Sequence, residues 1–221
     1  MTETDIASLL PGTTRRFKAK TAIMYQGEAP RSGYYIKKGV VKAYTLQASG
    51  EEQVVAFFEA GDLFPMSWLF GKTETTMYYH ESMEPCELIS VTRGDVENIL
   101  LKQATIKDKL LSKLISDQAA YFMRITALEQ SRAVEKIIFT LYYLMYQFGK
   151  EVKPGKYLIN IKLTHATIAS LVGLTRETTA TELNKLKRKN VLAYSRKLYT
   201  LDKLALEKMI GEDSFSDLIK K

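Results

Sequence analysis

Between Leu163 and Leu186 the chain reads LTHATIASLVGLTRETTATELNKL, a pattern that few folds accommodate. Thr164 can cap a helix whose apolar positions are Ile168, Leu171 and Val172. Gly173 follows, where a sharp turn needs the backbone freedom that glycine supplies at low cost. Thr175 can cap a second helix, running to about Lys187, with Leu183 and Leu186 facing inward at helical spacing. Two short helices and a tight turn make a helix-turn-helix. At the start of its second helix stand Arg176, Glu177, Thr178, Ala180 and Thr181, small or polar residues able to reach base edges in a major groove.

Charge is distributed in a way that bears on this motif. Residues 1–133 hold 16 Lys/Arg and 16 Asp/Glu, whereas residues 134–221 hold 16 and 9, so the whole formal charge of +7 lies in the second part. A polyanion partner for that part follows from electrostatics. At 221 residues the chain can hold two cores, and a hydrophobic content of 46% is ordinary for a globular protein. No apolar run approaches the roughly 18 residues of a membrane span. The start, MTETDIASLL, lacks the basic-then-apolar order of a secretory signal, and a single cysteine, Cys86, permits no internal disulfide. A cytoplasmic protein with no membrane partner is expected.

Ahead of the motif the periodicity changes twice. Residues 15–92 alternate apolar and polar positions, with turn signals at Gly39, Gly50-Glu51 and Gly61-Asp62, as in an antiparallel barrel or sandwich. Around Gly94 a helical pattern begins, with Val96, Ile99 and Leu100 on one face. A long helix is predicted from about Thr105 to Ser131, free of Gly and Pro. In it Leu111, Gln118 and Ile125 are seven apart, as are Leu114, Tyr121 and Leu128. Interleaved, they form a coiled-coil seam that can pair two copies, although a helix packed on its own domain would show similar spacing. A second helix, Ala133–Phe148, is followed by a strand, Tyr157–Leu163. Beyond the motif, VLAYSRKLYTL reads as a hairpin with Ser195-Arg196-Lys197 at its tip, completing a winged helix-turn-helix.

In this order the segments resemble the Crp/Fnr family of bacterial transcription regulators. YQGEAPRSGYYIKKGVVKAY (25–44) is similar to the family's early β-roll, and GDLF (61–64) to its Gly-Asp turn. The most specific match is LTHATIASLVGLTRETTATELNKLKRKNVL (163–192). The resemblance implies an α+β chain: an N-terminal antiparallel, jelly-roll-like β-roll (1–104), a long dimerisation helix (105–132) and a C-terminal winged helix-turn-helix (133–221). It also implies a homodimer on double-stranded DNA, with RNA polymerase as a further partner and no catalytic role. Arg176 and Glu177 fall where the family reads bases, and arginine to guanine with carboxylate to cytosine suits both side chains. Thr181 departs from the arginine many members carry, so the target sequence should differ. Thr179 and Glu182 are more polar than usual for their turns.

Thr164, Thr175, Lys185, Lys187, Arg188, Lys189, Arg196 and Lys197 are the candidate phosphate contacts. A solvated basic face is the plainer reading of each lysine alone.

The family's known effectors find little here. No arginine lies between Arg31 and Arg93, so a cyclic phosphate would lack its cation, and Pro65-Met66-Ser67-Trp68 replaces the usual phosphate segment. One cysteine cannot ligate an iron–sulfur cluster. Pro65 and Ser67 stand where a haem-sensing branch has its Cys and His, and the only histidines are His80 and His165. No cofactor or metal is expected. Phe64, Met66, Trp68, Tyr78 and Tyr79, with Leu69 and Phe70, can line a cavity for an unidentified small apolar effector or form ordinary core. Cys86, in PCELISV, reads as a buried structural thiol. A regulator controlled by its own abundance and an architectural DNA-binding protein are the other functions compatible with these residues.

Overall fold

The computed structural model describes residues 6–211. Its chain divides into two compact units, Met1–Ser112 and Lys113–Lys221, and the division falls inside one unbroken helix.

The described part of the first unit opens with a single helical turn, α1 (Ile6–Leu9), and then runs largely in strands. These are β1 (Thr14–Phe17), β2 (Ala22–Met24), β3 (Gly33–Lys38), β4 (Val41–Leu46), β5 (Glu52–Phe58) and β6 (Leu63–Phe64); after a short helix α2 (Met66–Leu69) come β7 (Tyr79–Ser82) and β8 (Cys86–Val91). They form two four-stranded antiparallel sheets, ordered β1-β8-β3-β6 and β2-β7-β4-β5, the expected β-roll. The β3–β4 turn shows why Gly39 is needed. Its φ is +99°, and a Cβ there would lie 2.6 Å from the Cys86 sulfur and 2.8 Å from the Pro85 carbonyl. Cys86 itself is 2% exposed, and burial raises its thiol pKa.

Strand alternation splits the core of this unit. On β3, Tyr34 and Ile36 join Met24, Val41, Phe64, Cys86 and Leu88 between the sheets. Tyr35 points the other way, into a second cluster with Leu10, Trp68, Leu69, Ile89, Val91 and Val96. Helix α3 (Arg93–Lys102) closes that second cluster, and Thr92 starts it with a reciprocal capping box to Asp95.

After a break at Gln103, α4 (Ala104–Glu129) begins within two residues of the expected start. In the second unit α5 (Ala133–Phe148) is the central helix, contacting α6 (His165–Val172), α7 (Arg176–Arg188) and α8 (Lys203–Ile210). Ile137, Leu141, Leu144, Ile168, Leu171, Leu183 and Leu206 are all wholly buried around it. The sheet of this unit is larger than the sequence suggests. Strands β9 (Gly149–Lys153) and β10 (Lys156–Ile159) pair across Pro154-Gly155, and β11 (Leu192–Ser195) and β12 (Leu198–Asp202) complete the order β11-β12-β10-β9. The expected strand at Tyr157–Leu163 thus ends at Ile159. β9 escapes notice because GKEVK is exposed over four of its five residues and carries no apolar alternation. Among the described residues no helix is long and apolar enough to cross a membrane.

Candidate nucleic-acid interface

Each helix of the motif is started by a threonine. The Thr164 hydroxyl accepts from the Thr167 amide at 3.0 Å, and the Thr175 hydroxyl from the Thr178 amide at 3.1 Å. Gly173 ends α6 in the left-handed region, with φ 68° and ψ 40°. Beneath α7, Thr179, Leu183 and Leu186 are buried. Above it, Glu177, Thr181, Asn184 and Arg188 are exposed and share one stripe, because steps of four, three and four residues return to the same face. Arg176 is exposed at the first helical position, while Thr178 and Ala180 are half-buried. The Thr178 hydroxyl accepts a 2.9 Å bond from that of Thr175, so it is engaged at the cap.

The polar Thr179 and Glu182 resolve in different ways. Glu182 pairs with Lys185 at 2.7 Å. Thr179 is 0% exposed, and its hydroxyl has no hydrogen-bond partner among the described residues.

The wing meets the motif at two places. The Leu163 amide donates to the Lys197 carbonyl at 2.8 Å, which draws the wing tip to the residue before the Thr164 cap. Arg196 and Lys197 are both exposed with positive φ (48° and 70°), the signature of a tight two-residue hairpin turn. Farther back, Tyr194 packs edge-on against His165 with ring centroids 5.3 Å apart. Burial and the nearby Arg176 charge hold the His165 pKa below its ordinary value. Thr164, His165, Arg176, Arg196 and Lys197 therefore belong to one edge of the unit. Lys185, Lys187, Arg188 and Lys189 lie about 13–20 Å farther along α7. Of these, Lys187 sits 4.5 Å over the Tyr194 ring.

Helix α4 carries the candidate pairing seam. Ala120, Met123, Arg124 and Ala127 are buried, and on the same side Ser116 bonds the Tyr146 hydroxyl of α5 at 3.0 Å. The seam residues Leu111, Leu114, Tyr121 and Ile125 are between 42% and 56% exposed, Gln118 is exposed and Leu128 half-buried. Ile115 and Phe122, at 60% and 59%, widen this stripe beyond the two heptad series read from the sequence. Their seven-residue spacing, four beyond Leu111 and Gln118, was the available signal.

The aromatic residues offered as one effector pocket do not come together. Phe64 stacks on His80 at 5.1 Å and Phe58 at 5.6 Å between the sheets. Trp68 lies in the cluster on the other face of β3, under the Arg93 guanidinium at 4.6 Å. Tyr79 leaves β7 opposite to its neighbour His80 and stacks on Tyr44 at 5.2 Å. Met66 and Tyr78 are half-buried, Leu69 is buried and Phe70 exposed. Proximity in sequence hid this separation, which two-residue alternation and the outward position of α2 impose. A different, shallow apolar hollow, open to solvent, is lined by residues including Leu10, Leu63, Val96, Leu100 and Ile106.

Residues 14–103 match the family described as Cyclic nucleotide-binding domain, and residues 135–209 the Crp-like helix-turn-helix domain. The chain belongs to the Crp/Fnr family. It is 26% identical over 196 residues to the Global nitrogen regulator of Synechocystis sp., covering 88% of this chain and 87% of that one. To the Fumarate and nitrate reduction regulatory protein of Vibrio cholerae it is 23% identical over 176 residues, covering 79% and 69%. The solved structure of a CooA mutant from Carboxydothermus hydrogenoformans superposes with a TM-score of 0.76 at 20% identity, over 95% of this chain and 93% of that one. Membership of this family makes the chain a DNA-binding transcription regulator.

Proposed function

We propose that this Crp/Fnr regulator works as a cytoplasmic homodimer on a near-palindromic DNA site. The observation that carries the reading is a double-capped helix-turn-helix exposing Arg176, Glu177 and Thr181 in the part of the chain that holds all the excess positive charge. Pairing through the Leu111–Leu128 face of α4 would set two copies of α7 into successive major grooves, with half-sites roughly 34 Å apart. Arg176 would read guanine, Glu177 cytosine, and Thr178, Ala180 and Thr181 the neighbouring pairs. Thr164, Arg196 and Lys197 would fix the register on phosphates, the Thr175 hydroxyl being spent on the α7 cap, with Lys185, Lys187, Arg188 and Lys189 completing the basic surface. RNA polymerase would be the further partner at a promoter.

Selection of bound DNA from a random pool tests this reading. An inverted repeat is the expected product, and Arg176→Ala should relax one pair in each half-site by about 1–3 kcal/mol. Equal weakening on every sequence would instead indicate an architectural protein. For control, the packing of Phe64 into a ring stack favours a regulator acting without a small-molecule effector in the roll. A thermal shift accompanied by altered DNA affinity on adding a small molecule would reverse that preference.

A further inference from the structure

One polar side chain on the exposed stripe of α7 is held from outside the helix. Asn184 stands seven residues beyond Glu177 and three beyond Thr181, and it is exposed. The Tyr194 hydroxyl, on the wing strand β11, donates to its Oδ1 at 3.1 Å. Tyr194 is itself fixed on several sides: it lies edge-on to the ring of His165 at 5.3 Å, under the Lys187 ammonium at 4.5 Å, and 5.2 Å from the ring of Tyr199, which is 1% exposed.

An exposed asparagine ordinarily samples several rotamers. Here one lone pair of Oδ1 is spoken for, which orients the amide and leaves the second lone pair and two Nδ2 hydrogens for another group. A donor and acceptor side by side match the N7 acceptor and N6 donor of adenine in the major groove. Seven residues of helix carry Asn184 about 10 Å along the axis from Glu177. That is roughly three base steps at 3.4 Å each.

We infer that Asn184, oriented by the Tyr194 hydroxyl, is a further base-reading residue that selects an A·T pair about three steps from the pair facing Glu177. This rests on the DNA-reading role proposed above for α7. Tyr194 acts as a positioning residue, so the wing contributes to sequence choice through a side chain that need not touch DNA. Asn184→Ala should fold as the parent does, since the position is exposed and alanine favours helix.

The test is selection from a random DNA pool with the full chain, its Asn184→Ala variant and its Tyr194→Phe variant. The parent should return an inverted repeat with a preferred A·T pair in each half-site, about three steps from the pair that a Glu177→Ala control relaxes. Asn184→Ala should lose the A·T preference by roughly tenfold to a hundredfold, leaving other positions unchanged. Tyr194→Phe keeps the ring contacts and removes only the hydroxyl, and it should relax the same pair by a smaller factor. A repeat that Asn184→Ala leaves unaltered, or an equal affinity loss on every sequence, overturns the inference while leaving the regulator reading intact. Relaxation by Asn184→Ala with none by Tyr194→Phe overturns the positioning role. A parent pool without any enriched motif overturns the regulator reading itself, and this inference with it.

Discussion

His80 makes the β-roll sensitive to acid in a way that can be worked out before measurement. The ring is 2% exposed, stacked on Phe64, tilted 6.0 Å from Phe58, and paired in register with Ala43 and Met24, so these ring and register neighbours are all apolar. Burial lowers its pKa to about 4, against a smaller opposing effect of a hydrogen bond to the Tyr78 backbone. In the unfolded chain the same imidazole titrates near 6.5. As pH falls through 6.5 the unfolded state therefore takes up a proton that the folded state refuses, and stability drops until about pH 4. Each unit of separation is worth about 1.4 kcal/mol, so at pH 5 the loss relative to pH 8 is about 2 kcal/mol. Urea unfolding followed by the fluorescence of Trp68, the only tryptophan and a residue of the same unit, reads this directly. Comparison with His80→Leu cancels the other titrating groups. Whatever its baseline, the variant should lose about 2 kcal/mol less than the parent between pH 8 and pH 5. Parallel pH dependences would refute the reasoning, because they would require the buried ring to accept a proton in the folded state.

Two further outcomes follow from groups already described. Thr179→Val removes a buried hydroxyl that lacks a partner while keeping the side chain's shape, and it should stabilise the second unit by about 1 kcal/mol, visible as a higher midpoint on thermal unfolding. Ile125→Glu places a charge at the centre of the α4 stripe, where pairing of two copies would cost about 3–5 kcal/mol per uncompensated carboxylate. Sedimentation should then find monomers at micromolar concentration, and an unchanged sedimentation coefficient would mean that the copies pair elsewhere.

Much of the architecture was legible because its signals are local. Caps, a glycine in the left-handed region and a run of alternating apolar residues each declare themselves within a few positions, which is why Thr164, Gly173, Thr175 and the roll were readable. What was lost depended on faces and partners. Strand β9 has almost no buried residue and exists because it hydrogen-bonds to β10, a fact absent from GKEVK itself. Phe64 and Trp68, four residues apart, looked like neighbours, but a short strand and a helical turn aim them at opposite sides of one sheet. Nothing in the sequence marks Asn184, because its significance lies in a bond to Tyr194, ten residues away on another element.

The wing tip carries a conflict between folding and charge. A two-residue turn with both residues in the left-handed region is best served by Asn-Gly, and ordinary L residues there cost roughly 1–2 kcal/mol each. This chain sets Arg196 and Lys197 at those positions, with φ of 48° and 70°. The hairpin thus gives up stability that a commonplace exchange would restore, and the residues responsible are two long cations turned toward solvent. Where a sequence accepts local strain without a packing gain, the return is sought in what the strained residues touch outside the fold. By that measure the wing is less a structural flap than a pair of charges mounted on a stiff spring.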